Sequence, residues 1–162
     1  MAAEIERKFI VTNLPPIIKE QPKKEIEQGY LALDPEGKEV RLRQANQLYS
    51  LTVKTAGGLQ RQEYEISLSQ TQFEVLWEAT QDRRIRKDRY VLQQNNLLIE
   101  VDIYHQPLQG LIVAEVEFET VEAANNYQKE PWMGEEVTHL SFLKNKNLLQ
   151  FENYQALLER LE

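Results

Sequence analysis

Charged residues recur at every second position in most of the β-like segments of this sequence. The segment that begins at Glu4, for example, reads Glu-Ile-Glu-Arg-Lys-Phe. Because alternate residues of a strand lie on the same face, each such segment is predicted to have one charged face. The cations at these positions are Lys8, Arg41, Arg43, Lys54, Lys87 and Arg89, and the carboxylates are Glu4, Glu6, Glu63, Glu65, Glu100, Asp102, Glu115 and Glu117.

These residue types indicate chemistry on a polyphosphate. Guanidinium groups bind phosphate oxygens in a bidentate geometry. Carboxylates in excess over the cations, with oxygen as the only donor atom, favour a hard divalent ion such as Mg²⁺ or Mn²⁺. A metal ion and several cations around a polyphosphate neutralise the charge that develops during phosphoryl transfer. The pattern therefore predicts a metal-dependent enzyme that acts on phosphate groups.

A simpler alternative is that the charges lie on the solvated face of an ordinary antiparallel sheet. Two features favour an enclosed face. The charges are sorted by strand, with carboxylate pairs on some strands and basic residues on others. The many short strands would also leave open edges unless the sheet closes. We therefore predict an α+β fold, mainly β: a closed eight-stranded antiparallel β-barrel, or tunnel, with the charges inside and helices packed outside.

The elements that must position these residues are short strands separated by turn signals. The predicted strands cover residues 4–11, 25–33, 38–45, 48–55, 61–68, 85–93, 97–104 and 111–119. Helices are predicted over Thr71–Thr80, where Ser69 and Gln72 fit a capping box, over Val121–Gln128, and over Leu148–Leu161. A break is predicted at residues 56–58, which read Ala-Gly-Gly.

Composition excludes several classes of protein. The 162 residues contain no Cys, which rules out disulfides and thiolate metal sites, and the net charge of −7 argues against nucleic acid as a partner. No apolar run is long enough to span a membrane, and no secretory signal is recognisable at residue 1. We expect a single domain over residues 1–162, cytoplasmic, without a membrane or nucleic-acid partner.

The ordered motifs closely resemble those of the triphosphate tunnel metalloenzymes, or CYTH superfamily. Residues 4–8 resemble the opening E-x-E-x-K motif, 40–43 the R-x-R strand, 86–90 the K-x-R strand and 114–118 the closing E-x-E. Residues 28–31, 52–54, 61–65, 100–102 and 132–138 match further segments in the expected order. A single E-x-E-x-K would be weak evidence, but the ordered set is specific and spans almost the whole chain.

The resemblance implies roles for the charged residues. The triphosphate would be bound by Lys8, Arg41, Arg43, Lys54, Lys87 and Arg89. The metal would be held by Glu4, Glu6, Glu115 and Glu117, with Glu65 and Asp102 as further ligands and Glu63 and Glu100 as candidates for a second metal or for positioning water. Lys8, Tyr30, Lys87 and Glu63 are assigned to catalysis. A contact between Lys8 and Tyr30, which would perturb the pKa of each, is a hypothesis.

The function implied for a short bacterial member is hydrolysis of inorganic triphosphate to pyrophosphate and phosphate with Mg²⁺ or Mn²⁺. A thiamine or nucleoside triphosphatase, a class IV-type adenylate cyclase and a non-catalytic polyphosphate-binding module are the alternatives. The sequence shows no clear adenine-recognition determinant, which argues against the cyclase. The partner is expected to be a small-molecule triphosphate, and a homodimer is an alternative to the monomer.

Overall fold

The computed structural model describes residues 5–55 and 62–162 and shows a mainly β protein with an antiparallel sheet. The strands are β1 (Ile5–Val11), β2 (Lys23–Leu33), β3 (Glu39–Ala45), β4 (Leu48–Lys54), β5 (Glu63–Leu68), β6 (Arg84–Gln94), β7 (Leu97–Tyr104), β8 (Ile112–Phe118) and β9 (Met133–Glu136). The helices are α1 (Pro16–Lys19), α2 (Gln70–Trp77), α3 (Val121–Asn126), α4 (Asn145–Leu148) and α5 (Tyr154–Leu161), with short 3₁₀ turns at Glu78–Thr80 and Ser141–Leu143. No helix in the described ranges has the length and apolar character needed to cross a membrane.

The chain forms two compact units. The split unit comprises the chain up to Lys24 and from Lys87 to Glu162, and the central unit runs from Glu25 to Arg86. The single domain over residues 1–162 that is expected from the sequence stays a prediction.

The split unit contains β1 between β8 and β9, with β7 on the other side of β8. One face of these strands is apolar and carries the core, which includes Phe9, Val101, Val116 and Phe118. Tyr127, just after α3, packs its ring against Phe9 and Phe118 at centroid distances of 6.4 and 5.2 Å. Ile18 of α1 and Ala124 of α3 belong to the same core, so helices pack on the apolar face. The alternation leaves the charged positions of β1, β7 and β8 on the opposite face.

The central unit contains β2 to β5 in consecutive antiparallel order, joined by the register of β2 with β3, β3 with β4 and β4 with β5. Helix α2 begins at the predicted capping box, in which Ser69 accepts from the backbone N–H of Gln72 and Gln72 accepts from that of Ser69. Its Phe73 packs against Tyr49 of β4 with 5.0 Å between the ring centroids. The predicted break at residues 56–58 lies outside the described residues.

The predicted count of eight strands is wrong, because Met133–Glu136 forms a ninth strand beside β1. This segment lies within the motif at residues 132–138, for which no strand is predicted from the sequence. The hydrogen-bonded order is β5-β4-β3-β2-β6-β7-β8-β1-β9, so in the described part of the chain hydrogen bonds do not close the sheet. Closure, as predicted from the number of short strands, is not confirmed.

The predicted C-terminal helix over Leu148–Leu161 is wrong as a continuous element. The chain forms α4 and then a separate α5, whose N-cap Asn153 accepts a hydrogen bond from the backbone N–H of Ala156. An Asn at this position favours the start of a new helix. The helical spacing of the leucines between residues 148 and 161 predicts one continuous helix and gives no sign of this break. Helix α2 also ends earlier than predicted, in the 3₁₀ turn at Glu78–Thr80.

Gly29 of β2 lies where no side chain fits. A Cβ at this position would meet Thr80 at 2.6 Å and the ring of Trp77 at 2.9 Å, both within the central unit. We expect Gly29→Ala to lower the free energy of unfolding by about 1–3 kcal/mol, the usual cost of overpacking. Urea unfolding followed by Trp fluorescence measures this. A loss below about 0.5 kcal/mol would show that Thr80 and Trp77 move aside freely, and Ala32→Ser, at an exposed position of the same strand, is the control.

Candidate active site

The split unit places its charged residues in cross-strand rows on one sheet face. Arg89 of β6 lies opposite Asp102 of β7, and Glu100 of β7 lies opposite Glu115 of β8. Glu115 is in turn opposite Lys8 of β1. Directly opposed residues have Cβ atoms close enough for their side chains to interact. The strand pairing therefore assembles predicted cations and predicted carboxylates into one continuous cluster.

The most buried part of this cluster is a carboxylate between two cations. Asp102 Oδ2 accepts from Lys87 Nζ at 2.8 Å, and Arg89 donates to Oδ1 at 2.7 Å and to Oδ2 at 2.9 Å. Burial alone would raise the pKa of Asp102, but the adjacent Lys87 and Arg89 hold it well below its usual range. The side chain of Lys87 is fully enclosed, with 0% exposed. Asp102 therefore remains ionised and fixes the positions of both cations.

Glu100 takes part in the same network from a less favourable position. Burial raises its pKa, and the negative charges of Asp102 and Glu115 add to that effect, while the ion pair with Arg89 opposes it. Arg89 thus contacts two carboxylates, and its own pKa is raised: these carboxylates outweigh the burial that would lower it. The guanidinium is charged under all ordinary conditions.

A second group of carboxylates lies on β1 and β8. Glu6 is directly opposite Glu117 in the strand register, and its carboxyl is hydrogen-bonded to that of Glu115. Burial opposes ionisation of Glu115, but the hydrogen bond with Glu6 and the charges of Lys8 and Arg89 outweigh it and lower its pKa. Lys8 Nζ lies 3.6 Å from Glu115 Oε2. Two carboxylates this close repel each other when both are ionised, and a bound cation would relieve that repulsion.

The predicted metal ligands are only partly brought together. Within residues 5–55 and 62–162, no three acidic, His or Cys side chains converge closely enough to hold a metal ion. Glu6, Glu115 and Glu117 share one face, and their all-oxygen donor set fits a hard divalent ion. Glu4, the fourth predicted ligand there, lies outside the described residues. Asp102 is committed to Lys87 and Arg89, while Glu65 belongs to the central unit, where its Oε2 accepts from the Thr52 hydroxyl at 3.0 Å.

The central unit contains a buried cation with an unsatisfied donor. Arg41 of β3 has only 6% of its surface exposed, and its Nε has no hydrogen-bond partner in the described structure. An unpaired donor on a buried charge is costly unless a ligand satisfies it. Lys54 of β4 lies opposite Glu63 of β5 in the register, with Nζ and Oε2 3.9 Å apart. Arg41 is therefore the strongest structural indication of an anion site in this unit.

Gln28 of β2 is a functional candidate for which the sequence predicts no role, although it lies in the motif at residues 28–31. Its side chain is completely buried; Oε1 accepts from Arg43 at 3.2 and 2.9 Å, and Nε2 donates to the Tyr30 hydroxyl at 3.1 Å. Burial raises the pKa of Tyr30 to about 12, against the opposing charges of Arg41 and Arg43. Alternation along β2 would have placed Gln28 and Tyr30 on one face, but only the pairing with β3 identifies Arg43 as the partner. The Lys8–Tyr30 contact stays a prediction.

Comparisons with known proteins agree with the resemblance seen in the sequence. The chain is 44% identical over 146 residues to a protein named inorganic triphosphatase from Nitrosomonas europaea, covering 90% of this chain and 95% of the relative. It is 34% identical over 160 residues to one of the same name from Acetivibrio thermocellus, covering 96% and 99%. A crystal structure titled as an inorganic triphosphatase matches with a TM-score of 0.78 at 40% identity, over 94% of this chain and 98% of that one. The family model described as the CYTH domain matches residues 2–151, and the chain therefore belongs to the CYTH family.

Proposed function

We propose that this protein hydrolyses inorganic triphosphate to pyrophosphate and phosphate. The observation that carries the proposal is the buried guanidinium of Arg41, whose Nε has no hydrogen-bond partner among the described residues. A polyphosphate supplies the anionic oxygens that such a group requires. The relatives with the name inorganic triphosphatase, which cover nearly the whole chain, direct the choice of substrate to the inorganic triphosphate.

The cations differ in how firmly their positions are fixed before the substrate binds. Lys87 and Arg89 are held by Asp102, so their positions are fixed before an anion arrives. We assign Asp102 to orienting these two residues. Its three hydrogen bonds support this role better than they support a role as a metal ligand. Arg41, Arg43, Lys54 and Lys8 complete the proposed set of phosphate-binding cations. Preorganised charges of this kind favour the transition state because they need not move as charge develops.

A divalent cation is proposed to bind at Glu4, Glu6, Glu115 and Glu117, with Mg²⁺ or Mn²⁺ as the candidates. Such an ion would neutralise phosphate oxygens and lower the energy of the developing charge. The carboxylates would balance the positive charge of the metal ion, and Lys8 beside Glu115 offsets part of their negative charge. Glu63, which faces Lys54, is the candidate for orienting the water that adds to the terminal phosphorus as the P–O–P bond breaks.

The architecture that the sequence predicts belongs to the same proposal. In a closed tunnel the charged strand faces would line a lumen that holds the substrate. A cytoplasmic location, a homodimer and the absence of nucleic acid as a partner also remain proposals. The net charge of −7 supports the last of these.

One assay separates the candidate functions. Phosphate release is measured from tripolyphosphate, ATP and thiamine triphosphate, each with Mg²⁺, Mn²⁺ or a chelator. We expect turnover of tripolyphosphate above the other two, dependent on the metal. Preference for ATP or thiamine triphosphate would identify a different triphosphatase, and cyclic AMP from ATP a cyclase. Binding of tripolyphosphate without turnover under any condition would identify a polyphosphate-binding module and end the hydrolase proposal.

Glu6→Gln tests the proposed metal site. The amide of Gln can donate a hydrogen bond to Glu115, so the variant should fold with a free energy of unfolding within about 0.5 kcal/mol of the parent. Loss of a charged ligand should lower metal-dependent turnover by about 100-fold and raise the metal concentration needed for half-maximal activity.

The matched control for this variant is Glu122→Gln, which removes the same charge from an exposed position in the first turn of α3. It should leave turnover and metal dependence unchanged. If Glu6→Gln behaves like this control, Glu6 does not hold the metal ion.

A further inference from the structure

We propose that Gln28 is a positioning residue that sets the hydrogen-bond direction of Tyr30, so that the Tyr30 hydroxyl donates its proton to a bound phosphate oxygen. The inference rests on the proposed function for the identity of the anion. Its geometric basis lies entirely within the central unit. It assigns a role to the buried Gln28 amide and fixes the direction in which the Tyr30 hydroxyl donates its hydrogen bond.

The orientation of the Gln28 amide is fixed by its neighbour. The Arg43 guanidinium has only donors, so the amide atom it contacts through Nε and Nη2 must be the oxygen. The opposite end of the amide is then the NH₂ group, which faces the Tyr30 hydroxyl at 3.1 Å. Reversing the amide would bring donors against donors on the Arg43 side. The direction of the Gln28–Tyr30 hydrogen bond therefore follows from the charge of Arg43.

The consequence falls on the proton of Tyr30. Its oxygen accepts from Gln28, and no acceptor for its own proton is present in the described part of the chain. The residue is 1% exposed, so an unmade hydrogen bond is costly. Because the pKa of Tyr30 is raised to about 12, the phenol keeps its proton at neutral pH.

The surroundings of Tyr30 favour an anion as the missing acceptor. Arg41 is directly opposite Tyr30 in the register, and Arg43 is opposite Gln28. These cations and Glu39 are the charged groups that act on the phenol. Within residues 5–55 and 62–162, the buried Nε of Arg41 also has no hydrogen-bond partner. A phosphate oxygen that accepts from both Arg41 and Tyr30 would satisfy the two donors together.

A double-mutant cycle tests this coupling through the dissociation constant of tripolyphosphate, measured by calorimetry in the presence of a chelator so that no turnover occurs. Tyr30→Phe should weaken binding about 10- to 100-fold, the cost of one hydrogen bond to a charged group. Gln28→Glu keeps an acceptor for Arg43 but turns the Tyr30 proton towards its own carboxylate. It should therefore weaken binding about tenfold more in the parent than in the Tyr30→Phe background.

Equal effects of Gln28→Glu in both backgrounds would overturn the proposal, because the added charge would then act without Tyr30. Gln44→Glu, which adds the same charge on the other face of β3, is the control and should show no coupling to Tyr30. If Gln28→Glu does not fold, Gln28→Met removes the donor without adding a charge, and the same non-additivity with Tyr30→Phe is expected.

A second measurement does not depend on the substrate. The side-chain NH₂ resonances of Gln28, assigned in ¹⁵N spectra by their loss in Gln28→Met, should shift and exchange faster with water in Tyr30→Phe. Unchanged resonances would overturn the proposed contact. Failure of the parent protein to bind tripolyphosphate, together with the expected shift, would count instead against the proposed function and against phosphate as the acceptor.

Discussion

Replacement of Asp102 by Asn is expected to lower the free energy of unfolding by about 3–5 kcal/mol at neutral pH, the usual cost of removing one partner from a buried ion pair. Lys87 would be left enclosed with its ammonium group facing a neutral amide, and Arg89 would lose the carboxylate that it contacts through two nitrogens. The measurement is equilibrium unfolding in urea.

The control is Asp88→Asn, on the opposite face of β6, where the carboxylate is paired with the partly exposed His105 at 3.2 Å. This variant should lose less than about 1 kcal/mol. Equal losses in the two variants would mean that the Lys87–Asp102–Arg89 cluster adds no special stability.

The pH dependence of this effect has a definite sign. The pKa of Asp102 is lower in the folded protein than in the unfolded chain, so its contribution to stability is fully present above the unfolded value of about 4. It is lost as the pH falls from there through the folded pKa. The difference in stability between the parent and Asp102→Asn should therefore be constant from pH 7 to about 5 and shrink below about 4.

Replacement of Arg41 by Met is expected to separate binding from stability. The affinity for tripolyphosphate should fall by about 3 kcal/mol, roughly 100-fold, because a buried donor to the anion is lost. The free energy of unfolding of the empty protein should stay the same or rise. Met fills a similar volume and removes a buried charge whose Nε has no partner in the described part of the chain.

Calorimetric titration and urea unfolding of the same preparation measure both quantities for Arg41→Met. Arg83→Met, at an exposed position of the central unit, is the control and should change neither. An Arg41→Met protein that is less stable but binds normally would show that Arg41 is a structural residue.

The part of the fold that sequence could predict is the part governed by local alternation. Charge and apolar residues alternate along residues 97–104 and 112–118, and this is enough to place Glu100 and Glu115 on one face of neighbouring strands. The two carboxylate strands that the family resemblance assigns to one metal site do pair, since Glu6 lies opposite Glu117. Both conclusions depend on periodicity and on the need to satisfy strand edges.

The parts that sequence could not predict depend on register or on short elements. The contact of Gln28 with Arg43 requires the alignment of β2 with β3, which shifts between Tyr30 and Ala32. Strand β9 is only four residues long, which is too short for periodicity to reveal. Its Glu136 nevertheless pairs with Arg7, and this contact lowers the pKa of the Glu136 carboxyl. Alternation along β1 places Arg7 on the apolar face, where the distant β9 supplies its carboxylate partner.

The place of β1 between β8 and β9 also determines when it can be completed during synthesis. Its Ile5–Ile10 stretch pairs with Val113–Phe118, and the backbone of Lys8 is then held by Val137 and Thr138. At roughly 5–20 residues per second, a ribosome needs about 5–25 seconds to make the intervening chain. During that time the first strand, with its charged and apolar faces, has no partner on either edge. Nascent chains stalled before residue 112 should therefore leave this segment open to proteases and chaperones, and those that expose residue 138 should protect it.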